Sequence, residues 1–168
     1  MSPLVTIIMG STSDLPTMRK AADFLEAMQV PFEIKALSAH RTPREVEEFA
    51  SNAAARGIKV IIAGAGMAAA LPGVIAALTP LPVIGVPIDS TLQGNDALLS
   101  MVMMPPGIPV ATVGINGAMN AAVLAVRIIA LADNNLAQRY NAWTAGLAEK
   151  VRRANDELAQ IDTYKFKC

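Results

Sequence analysis

The chain has 168 residues and a mass of 17.6 kDa, and its 14 Lys and Arg balance its 14 Asp and Glu. A zero net charge argues against nucleic acid or an anionic membrane as a partner, because such partners select a basic surface. Hydrophobic residues make up 53% and charged residues only 17%. Since a lone domain of this size buries only about 70% of its unfolded-state surface, we expect a homo-oligomer with apolar interfaces.

Apolar segments of strand length alternate along the chain with longer segments of helical period. In chain order we predict strand 4–9, helix 15–28, strand 32–37, helix 43–56, strand 60–63, helix 68–78, strand 82–86, helix 93–102, strand 110–113, helix 118–133 and a long C-terminal helix 135–161. This alternation indicates a three-layer, flavodoxin-like α/β fold, in which about five parallel strands carry helices on both faces. We expect a single domain over residues 1–168, of which 134–168 form a helical extension.

Two charge-free segments, 60–88 and 97–126, are long enough to span a bilayer. Both are interrupted by glycine and proline, as at 72–73 and 105–106, so we predict buried strands and helices instead of membrane spans. The N-terminus lacks the basic start of a signal peptide. The single cysteine, Cys168, excludes an internal disulfide. A cytoplasmic protein is therefore expected.

The loop after the first predicted strand is rich in hydroxyl groups. It contains Ser11, Ser13 and Asp14, and Pro16 suits the first turn of the helix that follows. Hydroxyls and free N–H groups at a helix N-terminus can bind an anion or a sugar. Alternatively, Ser13 or Asp14 only caps the helix. Both interpretations remain open at this point.

The loop after the second predicted strand contains Ser38, His40 and Arg41. We predict that Thr42 and Glu45 form a capping box, which starts the next helix and leaves His40 and Arg41 at the end of the strand. His40 is the only histidine, and histidine is the side chain that ordinarily titrates near neutral pH. Arg41 could hold a phosphate with two hydrogen bonds. A structural histidine and a solvent-exposed arginine are the alternatives.

The loop after the third predicted strand is glycine-rich. Gly64, Gly66 and Ala69 match the dinucleotide-binding fingerprint, and Asp89 ends the next strand where a ribose-binding acid could lie. The match falls in the third strand–helix unit instead of the first. We therefore favour close approach of the backbone to a small ligand. No nucleophile elbow, phosphate-binding Walker loop or histidine pair for a metal is present in the sequence.

Six motifs occur in the order and spacing of one known family. They are residues 9–14 (MGSTSD), 38–43 (SAHRTP), 63–66 (AGAG), 71–73 (LPG), 82–87 (PVIGVP) and 104–109 (MPPGIP). Over residues 3 to 133 the chain resembles the 5-(carboxyamino)imidazole ribonucleotide mutase family of purine biosynthesis. The resemblance implies a homo-octameric enzyme without cofactor or metal, with an ATP-dependent carboxyaminoimidazole ribonucleotide synthase as a functional partner. Together with the single domain expected over residues 1–168, the resemblance predicts that this domain is catalytic.

The implied reaction moves a carboxylate from the exocyclic amine of the ribonucleotide to the adjacent ring carbon, by decarboxylation and recarboxylation. By resemblance, Asp14 binds the ribose, Ser11 and Arg41 bind the phosphate, and His40 is the acid and base. The backbone at 65–66 closes over the carboxylate. The predicted catalytic residue is His40, and the predicted substrate-binding residues are Ser11, Ser13, Asp14, Ser38, Arg41, Ala65, Gly66 and Leu71.

Two positions depart from the pattern of the family. The mutase branch usually has a histidine where this chain has Ala70, and often an arginine where it has Pro106. The branch that carboxylates aminoimidazole ribonucleotide directly with carbon dioxide also lacks that histidine, although its loop is more polar than residues 67–72. Direct carboxylation is therefore the alternative function. Remoter alternatives are carboxylation of another ring and a nucleotide- or dinucleotide-binding module without this activity.

Overall fold

A computed structural model describes residues 2–167, so Cys168 lies outside the described residues. Within residues 2–167, five parallel strands form one sheet in the order β2-β1-β3-β4-β5. The strands are β1 (Val5–Met9), β2 (Phe32–Ala36), β3 (Val60–Ala65), β4 (Val83–Pro87) and β5 (Ala111–Thr112). All five predicted strands are present, which confirms the predicted parallel sheet.

In the described part of the chain, six α-helices accompany the sheet. They are α1 (Leu15–Ala27), α2 (Pro43–Asn52), α3 (Leu71–Leu78), α4 (Asn95–Val102), α5 (Ala118–Ala130) and α6 (Asn134–Ala159), with short 3-10 turns at Thr12–Asp14 and Leu92–Gly94. The third helix begins at Leu71, three residues later than the predicted 68. Met67 and Ala69 adopt positive φ angles of 55° and 33°, and a right-handed helix cannot include such residues.

Helices cover both faces of the sheet because neighbouring strand residues point in opposite directions. On one face, Ile7 and Ile62 pack in a buried cluster with α1 and α5. On the other face, Ile8 and Ile61 pack in a second cluster with α2, α3 and α4. All four side chains are fully buried. This arrangement confirms the predicted three-layer, flavodoxin-like architecture.

The strand order reverses next to β1. The chain passes from β1 to β2 on one side and then returns to β3 on the other, so Met9 is paired with both Ala36 and Gly64. In open parallel sheets a cleft forms at such a reversal, beyond the carboxyl ends of the strands. The loops after β1, β2 and β3 therefore meet there.

The first half of the long helix α6 packs against the body of the protein. Leu136 is buried, the ring of Trp143 lies 4.9 Å from that of Phe24, and the Arg139 side chain donates to the Met28 carbonyl at 3.0 Å. The second half exposes apolar side chains such as Val151, of which 63% is accessible. No helix within residues 2–167 is both long enough and apolar enough to cross a membrane.

Candidate active site

A cleft of about 570 Å³ lies at the carboxyl ends of β1, β2 and β3. All nine residues predicted for the site line this cleft: Ser11, Ser13, Asp14, Ser38, His40, Arg41, Ala65, Gly66 and Leu71. Other lining residues were not predicted, namely Gly10, Ala39, the segment 67–70 and Ser90. Ser90 lies three residues after the end of β4 at Pro87, and its only signal in the sequence is a hydroxyl group close to the end of a strand.

In the loop after β1, Asp14 lines the cleft, and its carboxylate does not cap helix α1. The Ser11 hydroxyl accepts from the Ser13 N–H at 3.3 Å and so caps the 3-10 turn, while the Ser13 hydroxyl donates to Asp14 Oδ1 at 3.3 Å. Asp14 precedes α1 without a side-chain capping bond. The alternative in which Ser13 or Asp14 caps this helix is therefore wrong.

The carboxyl group of Asp14 lies in a partly buried position. Burial raises its pKa above 3.8, while the Ser13 hydroxyl and the Arg41 charge lower the pKa by smaller amounts. Burial disfavours the charged form of a carboxyl group, so the ionised carboxylate of Asp14 is held at some cost to folding. Such a group is typical of a ligand site.

Arg41 connects the first and second loops. Its guanidinium donates to the Gly10 carbonyl at 2.7 Å and, through Nε, to the Ser38 hydroxyl at 3.4 Å. The Ser38 hydroxyl also accepts from the Arg41 N–H at 3.2 Å. These bonds fix a positive charge at the mouth of the cleft, beside the exposed imidazole of His40.

Thr42 does not form the predicted capping box with Glu45. Its hydroxyl accepts from the Ser38 N–H at 3.0 Å and donates to the Ser38 carbonyl at 3.3 Å, and no side-chain bond caps α2. Threonine hydroxyls commonly bond to a nearby backbone in this way, in competition with capping. The result is a closed turn over residues 38–42, from which His40 and Arg41 project.

The third loop brings backbone close to the cleft. A Cβ atom at Gly66 would lie 2.5 Å from the Ser90 Oγ, so a residue with a side chain does not fit there without displacing Ser90. Met67 and Ala69 have positive φ angles, which are unfavourable for residues other than glycine. Apart from its backbone, the loop offers only the apolar side chains of residues 67–71.

The dinucleotide interpretation of this loop finds no support in the geometry. Asp89, the expected ribose-binding acid, is not among the residues that line the cleft, although its neighbour Ser90 is. The backbone N–H of Asp89 donates to Asn116 Oδ1 at 3.0 Å. Within residues 2–167, no group of three or more His, Cys, Asp or Glu side chains is arranged to hold a metal ion. The cleft contains the cation of Arg41 and the imidazole of His40, which can bind a small anionic ligand and transfer a proton.

Comparison with known proteins places these features in one family. The model of the AIR carboxylase family matches residues 4–150. The chain belongs to the AIR carboxylase family. It is 54% identical to the N5-carboxyaminoimidazole ribonucleotide mutase of Pyrococcus horikoshii, over 98% of this chain and 93% of that one. Identity to the mutase of the same name from Bacillus subtilis is 53%, over 94% and 99%.

This AIR carboxylase family member also resembles longer proteins and solved structures. It is 53% identical to the chloroplastic phosphoribosylaminoimidazole carboxylase of Vigna aconitifolia over 94% of this chain, but it spans only 28% of that protein. The fold matches a PurE2 variant of Treponema denticola with a TM-score of 0.85 and 31% identity, covering 94% of this chain and 99% of that one. PurE from the same organism gives a TM-score of 0.82 at 31% identity, covering 93% and 98%.

Proposed function

We propose that this protein converts 5-(carboxyamino)imidazole ribonucleotide to 5-amino-4-imidazolecarboxylate ribonucleotide in purine biosynthesis. The observation that carries the proposal is the single cleft that contains His40, Asp14 and Arg41. A proton carrier, a carboxylate for hydroxyl groups and a cation for a phosphate are the groups that this reaction needs. High identity to relatives named N5-carboxyaminoimidazole ribonucleotide mutase supports the same assignment.

His40 acts as the acid and then as the base. Its imidazolium donates a proton to the exocyclic nitrogen, the C–N bond to the carboxylate breaks, and carbon dioxide leaves while the electron pair stays on nitrogen. The adjacent ring carbon then attacks the retained carbon dioxide. The neutral imidazole takes the proton from that carbon, which restores the starting state of His40. One side chain, His40, therefore both donates and accepts the proton.

The first two loops bind the ribonucleotide. The carboxylate of Asp14 accepts from the ribose hydroxyls, and Ser11 donates to the phosphate, which also pairs with Arg41. The bonds from Arg41 to Gly10 and Ser38 support this role, because they hold the guanidinium in place before the ligand arrives. A preorganised cation loses less conformational entropy on binding.

The third loop shields the reaction. The backbone of residues 65–66 closes over the carboxylate, and the apolar segment 67–71 excludes water around it. Exclusion of water limits the loss and hydration of carbon dioxide between the two steps. Neither step requires a redox cofactor or a metal, so we propose a reaction without either.

Direct carboxylation of aminoimidazole ribonucleotide is the second candidate. It is favoured by Ala70, which contributes only a methyl group to the cleft, and by the similarity to proteins named phosphoribosylaminoimidazole carboxylase. Pro106 is exposed in the segment between α4 and β5, outside the cleft of the single chain. It therefore favours neither candidate.

We further propose that the protein acts in the cytoplasm as a homo-oligomer, with an octamer as the expected state. Its functional partner is an ATP-dependent synthase that supplies the carboxyamino substrate. Exposed apolar side chains on α4 and α6, such as Leu99 and Val151, support the assembly. Residues 1–168 act as one catalytic domain with 134–168 as its helical extension.

Turnover on two substrates without ATP tests the proposal. One is carboxyaminoimidazole ribonucleotide in buffer depleted of carbon dioxide, and the other is aminoimidazole ribonucleotide with bicarbonate. We expect rapid conversion of the first and little of the second. The reverse result would establish direct carboxylation, and inactivity on both would overturn both candidates.

A further inference from the structure

Strained backbone is concentrated around the loops that follow β3, β4 and β5. Among residues 2–167, six non-glycine residues have positive φ angles, and five lie in these three loops: Met67, Ala69, Leu92, Gln93 and Asn116. Because β3, β4 and β5 are neighbours in the sheet, their loops lie side by side. Unfavourable backbone of this kind persists only where its surroundings fix it, and it is enriched at functional sites.

Two side chains fix these loops relative to one another. The Ser90 hydroxyl, from the loop after β4, accepts from the Met67 N–H at 3.2 Å and so holds the loop after β3. Asn116, from the loop after β5, accepts from the Asp89 N–H at 3.0 Å through its side chain. The Asn116 N–H in turn donates to the Pro87 carbonyl at 2.8 Å. Hydrogen bonds therefore run from the third loop back to the far edge of the sheet.

The contact between Ser90 and the third loop is close. The Ser90 Oγ occupies the space in which a Cβ atom at Gly66 would lie, since the distance between them would be 2.5 Å. The peptide between Gly66 and Met67 is thus held by a hydrogen bond on its N–H and by the Ser90 side chain against its Cα. This is the part of the backbone proposed to close over the substrate carboxylate.

We propose that Ser90 is a positioning residue for carboxylate transfer, because its hydroxyl holds the Gly66–Met67 peptide over the released carbon dioxide. The proposal rests on the proposed function of the cleft. Ser90 acts through the third loop and takes no part in proton transfer. Asn116 supports Ser90 by fixing the adjacent Asp89 peptide. A displaced loop retains carbon dioxide less well, and small displacements of positioning groups cost large factors in rate.

The test compares Ser90→Ala, Ser90→Thr and, as a matched control, Ser100→Ala, which removes an exposed hydroxyl from α4. Each variant receives carboxyaminoimidazole ribonucleotide with a labelled carboxylate in unlabelled bicarbonate. For Ser90→Ala we expect kcat about tenfold lower and less label in the product, with KM changed by less than about threefold. Ser90→Thr keeps the acceptor and restores retention, and Ser100→Ala behaves like the wild type. The melting temperatures stay alike, so folding does not explain the loss.

A second variant, Asn116→Gly, permits the positive φ angle but removes the side-chain acceptor; we expect a smaller loss of label retention in the same direction. Wild-type kcat and label retention in Ser90→Ala would overturn the proposal. So would a change in KM alone, which would indicate direct contact with the substrate.

Hydrogen exchange separates this proposal from the proposed function. If the wild type does not convert the substrate, the proposed function fails, yet the exchange rate of the Met67 amide still tests whether Ser90 fixes the loop. We expect faster exchange in Ser90→Ala than in the wild type and in Ser100→Ala. Equal exchange in all three proteins would overturn the positioning role.

Discussion

The guanidinium of Arg41 serves the fold and the proposed site at once. It joins two loops by donating to the Gly10 carbonyl and the Ser38 hydroxyl, and it faces the same cleft as Asp14. Hydrogen bonds to a charged group are stronger than neutral ones. The cation is therefore held in one position before any phosphate arrives.

Replacing Arg41 is expected to weaken binding of the phosphorylated ligand. Loss of a charged hydrogen-bond donor predicts that Arg41→Ala binds the ribonucleotide about 10- to 100-fold more weakly. Calorimetric titration should show little change for the ribonucleoside that lacks the phosphate. The control is Arg44→Ala, an exposed cation on α2. An unchanged affinity for the ribonucleotide in Arg41→Ala contradicts the assigned role.

The ionised carboxylate of Asp14 is expected to lower the free energy of unfolding at neutral pH. Because burial raises its pKa above 3.8, the folded protein holds the proton more tightly than the unfolded chain. The free energy of unfolding therefore falls as pH rises from 3.8 through the folded-state pKa. Asp14→Asn removes this penalty and should raise the melting temperature at neutral pH, but not below 3.8.

Thermal unfolding as a function of pH measures this effect. Asp156→Asn, an exposed carboxylate on α6, is the control and should leave the curve unchanged. The same Asp14→Asn variant should lose affinity for the ribonucleotide, since an amide offers one acceptor oxygen instead of two. A variant that is destabilised equally at every pH contradicts the electrostatic account.

At the residue scale the sequence predicted the polar loop residues but not all of their bonds. His40, Arg41 and Asp14 could be predicted because each follows a strand end, and parallel strands bring those ends together. The capping box at Thr42 was wrong, since its hydroxyl has a nearer partner in the Ser38 backbone. Ser90 was missed because its bond to Met67 joins loops from different strand–helix units, and no local pattern encodes such a contact.

At the scale of elements, β3 and α1 approach each other closely at a glycine. A Cβ atom at Gly64 would lie 2.5 Å from the sulfur of Met18, which is fully buried. Buried side chains are packed too densely to move freely. Gly64 therefore sets the distance between the strand and the helix that carries the first loop.

Gly64→Ala is expected to destabilise the protein by about 1–3 kcal/mol, the usual cost of overpacking. Denaturant unfolding measures this change. Gly10→Ala is the matched control, because a Cβ atom there meets nothing within 4 Å, and it should stay within about 0.5 kcal/mol of the wild type. Equal stability of the Gly64 and Gly10 variants would contradict this prediction, because it would show that the Met18 side chain can move aside without destabilising the protein.

Element types followed from periodicity, but some element ends did not. All predicted strands and helices are present, because strand-length apolar segments and helical periods are strong signals. The predicted start of α3 was wrong because residues 68–70 are alanines, which favour a helix. Met67 and Ala69 have positive φ angles, and the Met67 N–H is bonded to Ser90 in another loop, a contact to which a local pattern is insensitive.

At the scale of the whole molecule, exposed apolar surface supports assembly. Leu147, Val151 and Leu158 on the second half of α6 are 40%, 63% and 56% exposed, and Leu99 on α4 is 58% exposed. Surfaces of this kind on a protein without excess charge are typical of interfaces. The composition predicted this surface, but not which copies of the chain meet.

A charge on the exposed half of α6 should weaken the proposed assembly. Val151→Asp places a carboxylate where we expect an apolar interface, and burial of an unpaired charge is costly. Light scattering after size-exclusion chromatography should show a lower mass than for the wild type. The control is Gln138→Glu, which adds the same charge at an exposed polar position in the first half of α6. An unchanged mass for Val151→Asp contradicts an interface at this position.

The central claim is that His40 moves the proton in carboxylate transfer within this cleft. The most direct test is the turnover of carboxyaminoimidazole ribonucleotide by the wild type and by His40→Asn, with the affinity for the ribonucleotide measured on both. We predict that His40→Asn lowers kcat by roughly 10²–10⁴ while affinity stays within about tenfold, because only the proton carrier is removed. Near-wild-type turnover in His40→Asn would contradict the account.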